Sequence, residues 1–444
     1  MEAALKDSVP NLLAMSSRRV VIAGGGAAGF LAAITCAETA PDAEVTLFEK
    51  SANFLSKVRI SGGGRCNVTH ACFDQRTMTT LYPRGERALI APFQRFDARD
   101  TIQWFAARGV TLKTEEDGRM FPVTDSSQTI IDCLMQAARQ ARVKLVCNRG
   151  VEAVRPLTPA GFSLRLTDGG TVECHQLLLA TGGCRSIGGA QLAASLGHTI
   201  EPPVPSLFTF HVETAWLRAL AGVSVSCVEA SVRTTKLRER GPLLITHWGL
   251  SGPAILRLSA WGARALHERN YTFPLHLDWV PDLDQDALAA ALARRGTQQP
   301  AALVVNTPLP GLPGRLWEQL VLAAGIARET RWAAMSRTAR HALTQQLTRT
   351  EFPVTGKSLN KDEFVTCGGV RLSEVNFKTM ESRVCPRVFF AGELLNIDGI
   401  TGGFNFQAAW TTGWIAGKAM AGNAGEQGSS ATPDSFFYRR DAGH

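Results

Sequence analysis

Runs of apolar residues along the chain carry different signatures, and each predicts a different element. The first, residues 20–37 (VVIAGGGAAGFLAAITCA), is uncharged and follows Arg18 and Arg19, so it superficially offers a signal peptide, a twin-arginine leader or a membrane span. Its composition argues for something else. Val20, Val21 and Ile22 predict a strand, residues 24–26 a glycine turn, and the alanine-rich remainder a helix. Further strands are predicted at 44–49 (EVTLFE) and 176–183 (QLLLATGG). Before the latter, β-like pieces at 151–155, 162–167 and 171–174 are separated by Gly161 and an Asp168-Gly169-Gly170 turn, as in a hairpin meander. Runs at 206–213, 223–233, 241–246 and 271–279 predict a small antiparallel barrel or sheet. Leu/Ala spacing at 284–295, 314–325 and 333–348 then predicts helices divided by Pro and Gly. Residues 387–393 (RVFFAGE) read as one more strand, and Thr401 to Phe404 open a helix studded with Ala and Gly.

Composition narrows the class. A chain of 444 residues predicts roughly two to four domains with ample core. With 19% charged and 45% hydrophobic residues and 41 Gly, a highly charged disordered protein, a coiled coil and a collagen-like rod are excluded. A net charge of +8 leaves nucleic acid, anionic cofactors and anionic substrates open. Residues 233–240 carry four cations and one acid, and 139–155 five cations and one acid; both read first as solvated faces. The ten cysteines contain no C-x-x-C and no zinc spacing, which argues against a structural metal or a close-paired dithiol and suits a reducing cytoplasm. Residues 1–16 and the polar 423–444 are expected to be mobile.

Gly24, Gly26 and Gly29 have G-x-G-x-x-G spacing between strand and helix. The first allows the tight turn, the second lets backbone approach a pyrophosphate, and the third lets the helix pack on the strand. Glu49 ends the next strand twenty residues past Gly29, where a carboxylate bonds ribose hydroxyls and repels a 2′-phosphate. That disfavours NADP and leaves FAD or NAD. No second such fingerprint is present, so a dedicated NAD(P)H domain is not expected.

The motifs KVRISGGGRCNVTH (57–70), GRMFP (118–122), ITHWGLSGPAILRLS (245–259), VTCGGVRLSEVNFKTMES (365–382) and FFAGELLNIDGITGGFNFQAAW (389–410) carry a resemblance. Together with the fingerprint, they resemble the two-dinucleotide-binding-domain flavoproteins and, more narrowly, the bacterial HI0933-like (YhiN-like) family. His70 departs from the Asn expected at the end of the first motif. The resemblance implies an α/β fold: a discontinuous Rossmann-like FAD-binding domain (17–200 and 364–422) with an inserted β-barrel-like subdomain (201–280, return strand near 350–363), a small helical subdomain (281–349) and a flexible tail (423–444). The insertion could equally be one irregular α+β lobe. FAD is the implied cofactor, with its ADP half on Gly24, Gly26, Ala27, Ala28, Gly29, Glu49 and Lys50. Val151, Thr181, Gly182 and Gly183 complete that side, and Gly392 and Glu393 face ribityl or ribose hydroxyls.

The remaining motifs suggest chemistry. Ser61, Gly62, Gly63, Gly64, Arg65, Cys66 and Asn67 offer backbone N–H groups beside a guanidinium, suited to a pyrophosphate or the flavin edge. Cys66 reads as a packing or flavin-contact residue rather than a nucleophile. Gly402, Gly403, Phe404 and Asn405 start a helix whose positive end can face the charge of a reduced flavin. Ser251 is the expected N-cap, and Pro253 the first turn, of the helix that runs on through Ala254 to Ser259 within the third motif. His247, a residue type able to donate or accept a proton, is the candidate proton donor, with a hydrogen-bonded structural role as the alternative.

The function expected is therefore a cytoplasmic FAD-dependent oxidoreductase without metal. Reduction by NADH or NADPH, docked transiently in a ping-pong scheme, would feed hydride transfer to an activated C=C bond. The family includes members that reduce such bonds in bile-acid-like steroids and in ribosomal RNA uridine. A small molecule or RNA is thus the expected substrate. A non-catalytic flavin-binding redox sensor and a plain NAD-binding protein are the rival readings.

Overall fold

The uncharged run folds as a strand, Arg19–Ala23, a glycine turn and a helix, Ala27–Thr39. The computed structural model of the chain describes residues 17–183, 187–233, 235–358 and 365–422. The segments 1–16 and 423–444, and the end of the expected return strand at 359–363, lie outside them. Arg19–Ala23 pairs in parallel with Glu44–Phe48 on one side and Gln176–Leu179 on the other. Lys144–Val146 and, from far downstream, Val388–Phe390 extend a seven-stranded sheet whose strands are Val- and Leu-rich because both faces are covered. The meander is a separate antiparallel sheet of Val151–Pro156, Phe162–Leu166 and Thr171–Cys174.

The last helix, Phe404–Gly422, returns onto Ala27–Thr39 at backbone contact. A Cβ on Gly413 would lie 3.1 Å from Ala28 Cα, and one on Gly417 2.6 Å from Ala32 O. Small residues are needed where two helices approach this closely. The N-terminal and C-terminal parts of the chain thereby share one core, from Val20 through Leu178 to Phe389 and Ala416.

The insertion is a closed six-stranded barrel in the order Thr209–Val212, Gly249–Ser251, Leu237–Thr246, Ser224–Val232, Phe273–Asp278 and Thr350–Ser358. Two details differ from the sequence pattern. The run at 206–213 is broken by Leu207, whose φ is +56°, so that Ile200–Ser206 leaves the barrel and pairs with Val365–Val370. Strand 241–246 begins earlier, at Leu237, because outward Arg238 and Arg240 are matched by Glu229 and Asp282 and belong to the strand. The helices Gln285–Gln298, Gly314–Ala323 and Arg337–Thr348 put Leu292, Trp317 and Leu343 into the same core as barrel Phe210, Val228 and Leu275. The boundary at 281 therefore separates elements but does not divide the core. Among the described residues, no helix is long and apolar enough to cross a membrane.

Gly417→Val should lower stability by about 1–3 kcal/mol through overpacking, read as a lower urea midpoint with an unchanged slope.

Candidate functional site

A cavity of about 670 Å³ opens where the parallel sheet, the last helix and the barrel meet. Its floor begins at the glycine turn. Gly24 has a φ of +116° and passes the carbonyl of Ala180 too closely for any side chain, while nothing lies within 4 Å of a Cβ placed on Gly26. Gly26 is also the N-cap of the first helix and makes no side-chain cap bond, so that helix presents its first N–H groups to the cavity. Gly29 does not line the cavity but packs against Gly24 O, which seats the helix on the strand. Glu49 accepts from Gly25 N at 2.8 Å through Oε2 and from Ser51 N at 2.9 Å through Oε1. Ala27, Ala28 and Lys50 line this end with Thr181 and Gly182.

The opposite end is built by two glycine loops. In the helix Ser56–Gly64 the backbone leaves helical geometry at Ser61, and Gly62, Gly63 and Gly64 take φ values of 59°, 68° and 84°, a succession that side-chain-bearing residues resist. Ser61, Gly62 and Asn67 line the cavity; Gly63, Gly64, Arg65 and Cys66 do not. With its amide oriented to suit its neighbours, Asn67 donates to Thr69 O at 3.0 Å and accepts from Gly403 N at 3.0 Å, joining this loop to the second one. Gly402 and Gly403 line the cavity, whereas Phe404 is buried and its carbonyl accepts from the Tyr82 hydroxyl at 2.6 Å. Asn405 reaches the wall while spending its amide on Gly399, donating at 3.0 Å and accepting at 2.9 Å.

Several expected residues have other work. Arg65 bonds Glu115 at 2.6 Å and lies 4.0 Å over the Phe121 ring, outside the lining. Cys66 is fully buried, and burial pushes its thiol up to about 12, which removes it as a nucleophile. Val151 is a strand residue paired with Leu166 away from the cavity. Gly183 lies behind Glu393, where a Cβ would be 2.6 Å from Oε1. Gly392 and Glu393 line the cavity; Glu393 accepts from Thr366 N at 2.9 Å and pairs with Lys57. His247 is placed in the exposed turn between Leu237–Thr246 and Gly249–Ser251, outside the lining. Ser251, expected as an N-cap, instead lines the cavity; the cap is Gly252, with a φ of +95° and no side-chain bond.

The barrel wall consists of Leu207, Thr209, Ser251 and Leu256. Arg119 and Lys57 add cations that the predicted set did not include, Arg119 held by Asp117 at 2.7 Å and Glu115 at 3.1 Å. Its motif, GRMFP, marked the segment, but only pairing with His70 brings Arg119 to the cavity. His70 stacks on Phe404 at 4.7 Å and donates from Nε2 to Asp117 O at 3.1 Å, leaving Nδ1 buried without a partner. Burial lowers its pKa below the ordinary 6.5.

The family description HI0933-like protein Rossmann domain matches residues 18–419. The chain is 29% identical over 411 residues to the 3-dehydro-bile acid delta(4,6)-reductase of Clostridium scindens, covering 91% of this chain and 99% of that protein. It is 30% identical over 411 residues to the ribosomal RNA dihydrouridine synthase of Escherichia coli, covering 90% and 97%. Among solved structures, the 3-ketosteroid-delta4-(5alpha)-dehydrogenase of Rhodococcus jostii RHA1 is similar over 93% of this chain and 99% of that one, with 14% identity and a TM-score of 0.49.

Glu49→Gln should weaken FAD retention roughly tenfold or more, as expected for loss of charge-assisted bonds at this position, read by fluorescence titration of FAD. A second expectation concerns acid. Because folded His70 resists the proton that the unfolded chain accepts, its contribution is intact above about pH 6.5 and stability falls as pH drops below it. Urea midpoints compared at about pH 7.5 and about pH 5.5 should show that His70→Asn loses this part of the pH slope.

Proposed function

The chain belongs to the HI0933-like family of FAD-binding oxidoreductases, and from that premise we propose that it reduces an activated carbon–carbon double bond, with NADH or NADPH as transient electron donor. The observation that carries the reading is the continuity of one cavity from the glycine turn to the barrel wall. The residues present fit FAD. The uncapped helix N-terminus behind open Gly26 suits a diphosphate, and Glu49 suits ribose hydroxyls. Thr401, Gly402 and Gly403 would lie at the ring end, with Glu393 nearer the ribityl chain. When bound, the flavin supplies the hydride.

The chain's own residues supply the rest. Leu207, Leu256, Ile397 and Ile400 exclude water from the reacting end. Arg119, fixed by two carboxylates, polarises a carbonyl conjugated to the double bond, and the Thr209 or Ser251 hydroxyl holds the proton delivered to the other carbon. These groups replace His247, whose exposed turn is outside the cavity lining. A relative named for a bile acid reductase and another named for dihydrouridine formation both support double-bond chemistry. A small conjugated ketone is favoured over RNA because Arg238 and Arg240, half of the cations in the basic 233–240 patch, are paired with Glu229 and Asp282 rather than left for phosphates.

Purified protein should be yellow, bleach on anaerobic addition of NADH or NADPH, and regain colour with a Δ4-3-ketosteroid. A bound flavin that neither nucleotide reduces would support the sensor reading instead. Reoxidation by uridine-containing ribosomal RNA alone, with tightness falling steeply at raised salt, would turn the substrate assignment to RNA.

A further inference from the structure

Ser206, Arg84 and Asp398 are far apart in sequence and form one buried cluster. Asp398 is fully buried. Arg84 reaches both of its carboxylate oxygens, with Nε to Oδ1 at 2.5 Å, and Ser206 Oγ donates to Oδ2 at 2.7 Å. The same guanidinium donates from Nη1 to Ala260 O at 2.7 Å, near the C-terminal end of the barrel-side helix Pro253–Trp261. Close by, Phe208 N donates to Ser259 Oγ at 2.9 Å. The cluster therefore bonds the parallel-sheet domain to the barrel at the point where the chain crosses between them.

Its position relative to the cavity is what gives it a role. Ser206 precedes Leu207, Ala260 lies one helical turn beyond Leu256, and Asp398 stands between Ile397 and Ile400; those four neighbours line the cavity, two on the barrel wall and two on the facing loop. Burial pushes the Asp398 carboxyl above its ordinary range, opposed by Arg84 and Ser206. A desolvated pair of this kind is costly to form and adds less stability than packed apolar groups would, so its use lies in fixing one geometry. Leu207, at a φ of +56°, is held in a strained conformation at the same crossing.

We infer that Arg84, Asp398 and Ser206 are positioning residues that set the height of the barrel wall above the cofactor seat. The consequence for the bound ring rests on the FAD reading; the consequence for the two domains does not. Without the cluster, the ribbon of Ile200–Ser206 and Val365–Val370 would still connect them, but the wall could shift.

The test uses the full chain, with and without FAD, as Ser206→Ala, Arg84→Lys and the charge-free pair Arg84→Met with Asp398→Leu, the last guarding against a misfolded single-charge variant. Amide hydrogen exchange is followed in 206–212 and 253–261 against 19–48, together with iodide quenching of bound-FAD fluorescence. Loss of one bond to a buried charge should speed exchange in the two barrel segments about tenfold while 19–48 is unchanged, and should raise the iodide quenching constant. Arg84→Lys, which keeps the charge but not the fork, should fall between wild type and the double variant. Equal acceleration in all three segments, or unchanged exchange at 206–212 and 253–261, would overturn the inference. The exchange result in FAD-free protein stands even if FAD proves not to be the cofactor.

Discussion

The site depends on the backbone contact between the first helix and the last. Gly413 and Gly417 let Phe404–Gly422 lie directly on Ala27–Thr39, and this brings two distant glycine turns to the same cavity. Gly392 is part of the contact, since a Cβ there would be 2.9 Å from Ala28 Cβ, and its N–H is taken by Thr412 Oγ1 at 3.0 Å. Moving the last helix outward by even one methyl group would draw Gly402 and Gly403 away from the helix N-terminus they face across the cavity.

The helix buries Phe404, Trp410, Ile415 and Met420 in the same core, and buried hydrogen bonds add direction to that packing. The Gln407 side chain accepts from Thr69 at 2.6 Å and Thr101 at 2.9 Å and donates to Thr411 at 3.1 Å, while Thr411 donates to Phe96 O at 2.8 Å. Trp410 Nε1 adds a bond to Val68 O at 2.9 Å. Gln407, Thr411 and Trp410 thus all have partners, and bonds of fixed direction between buried groups favour a single register. Asn67 continues it to Gly403 and thus to the cavity wall itself.

The barrel is a second core that meets the first along the cavity. Its inward Phe210 and Leu275 pack with Trp317 of the helix Gly314–Ala323, and its contribution to the site is confined to one edge.

Much of the cradle was legible in the sequence because its requirements are local. The φ of +116° at Gly24 and +132° at Gly402 favours glycine through local backbone sterics, and Glu49 follows its strand at a fixed distance from the turn. Strand and helix periodicity likewise located the first strand and helix, the meander, the barrel strands and the later helices, whereas the helices between Ser56 and Gln140 were not read from it. The side chains at the barrel end of the cavity were not legible in this way. Arg119 reaches the cavity through pairing with His70, Ser251 through closure of the barrel, and Leu207 through a kink stapled by Asp398 and Arg84. His247 has suitable chemistry in a suggestive motif, yet the hairpin that carries it ends in solvent. The sequence by itself determined the fold class and the cofactor cradle, since backbone conformation and hydrophobic period act over neighbouring residues. Which side chains line the barrel end of the cavity was decided only by tertiary structure, because that depends on packing between segments hundreds of residues apart.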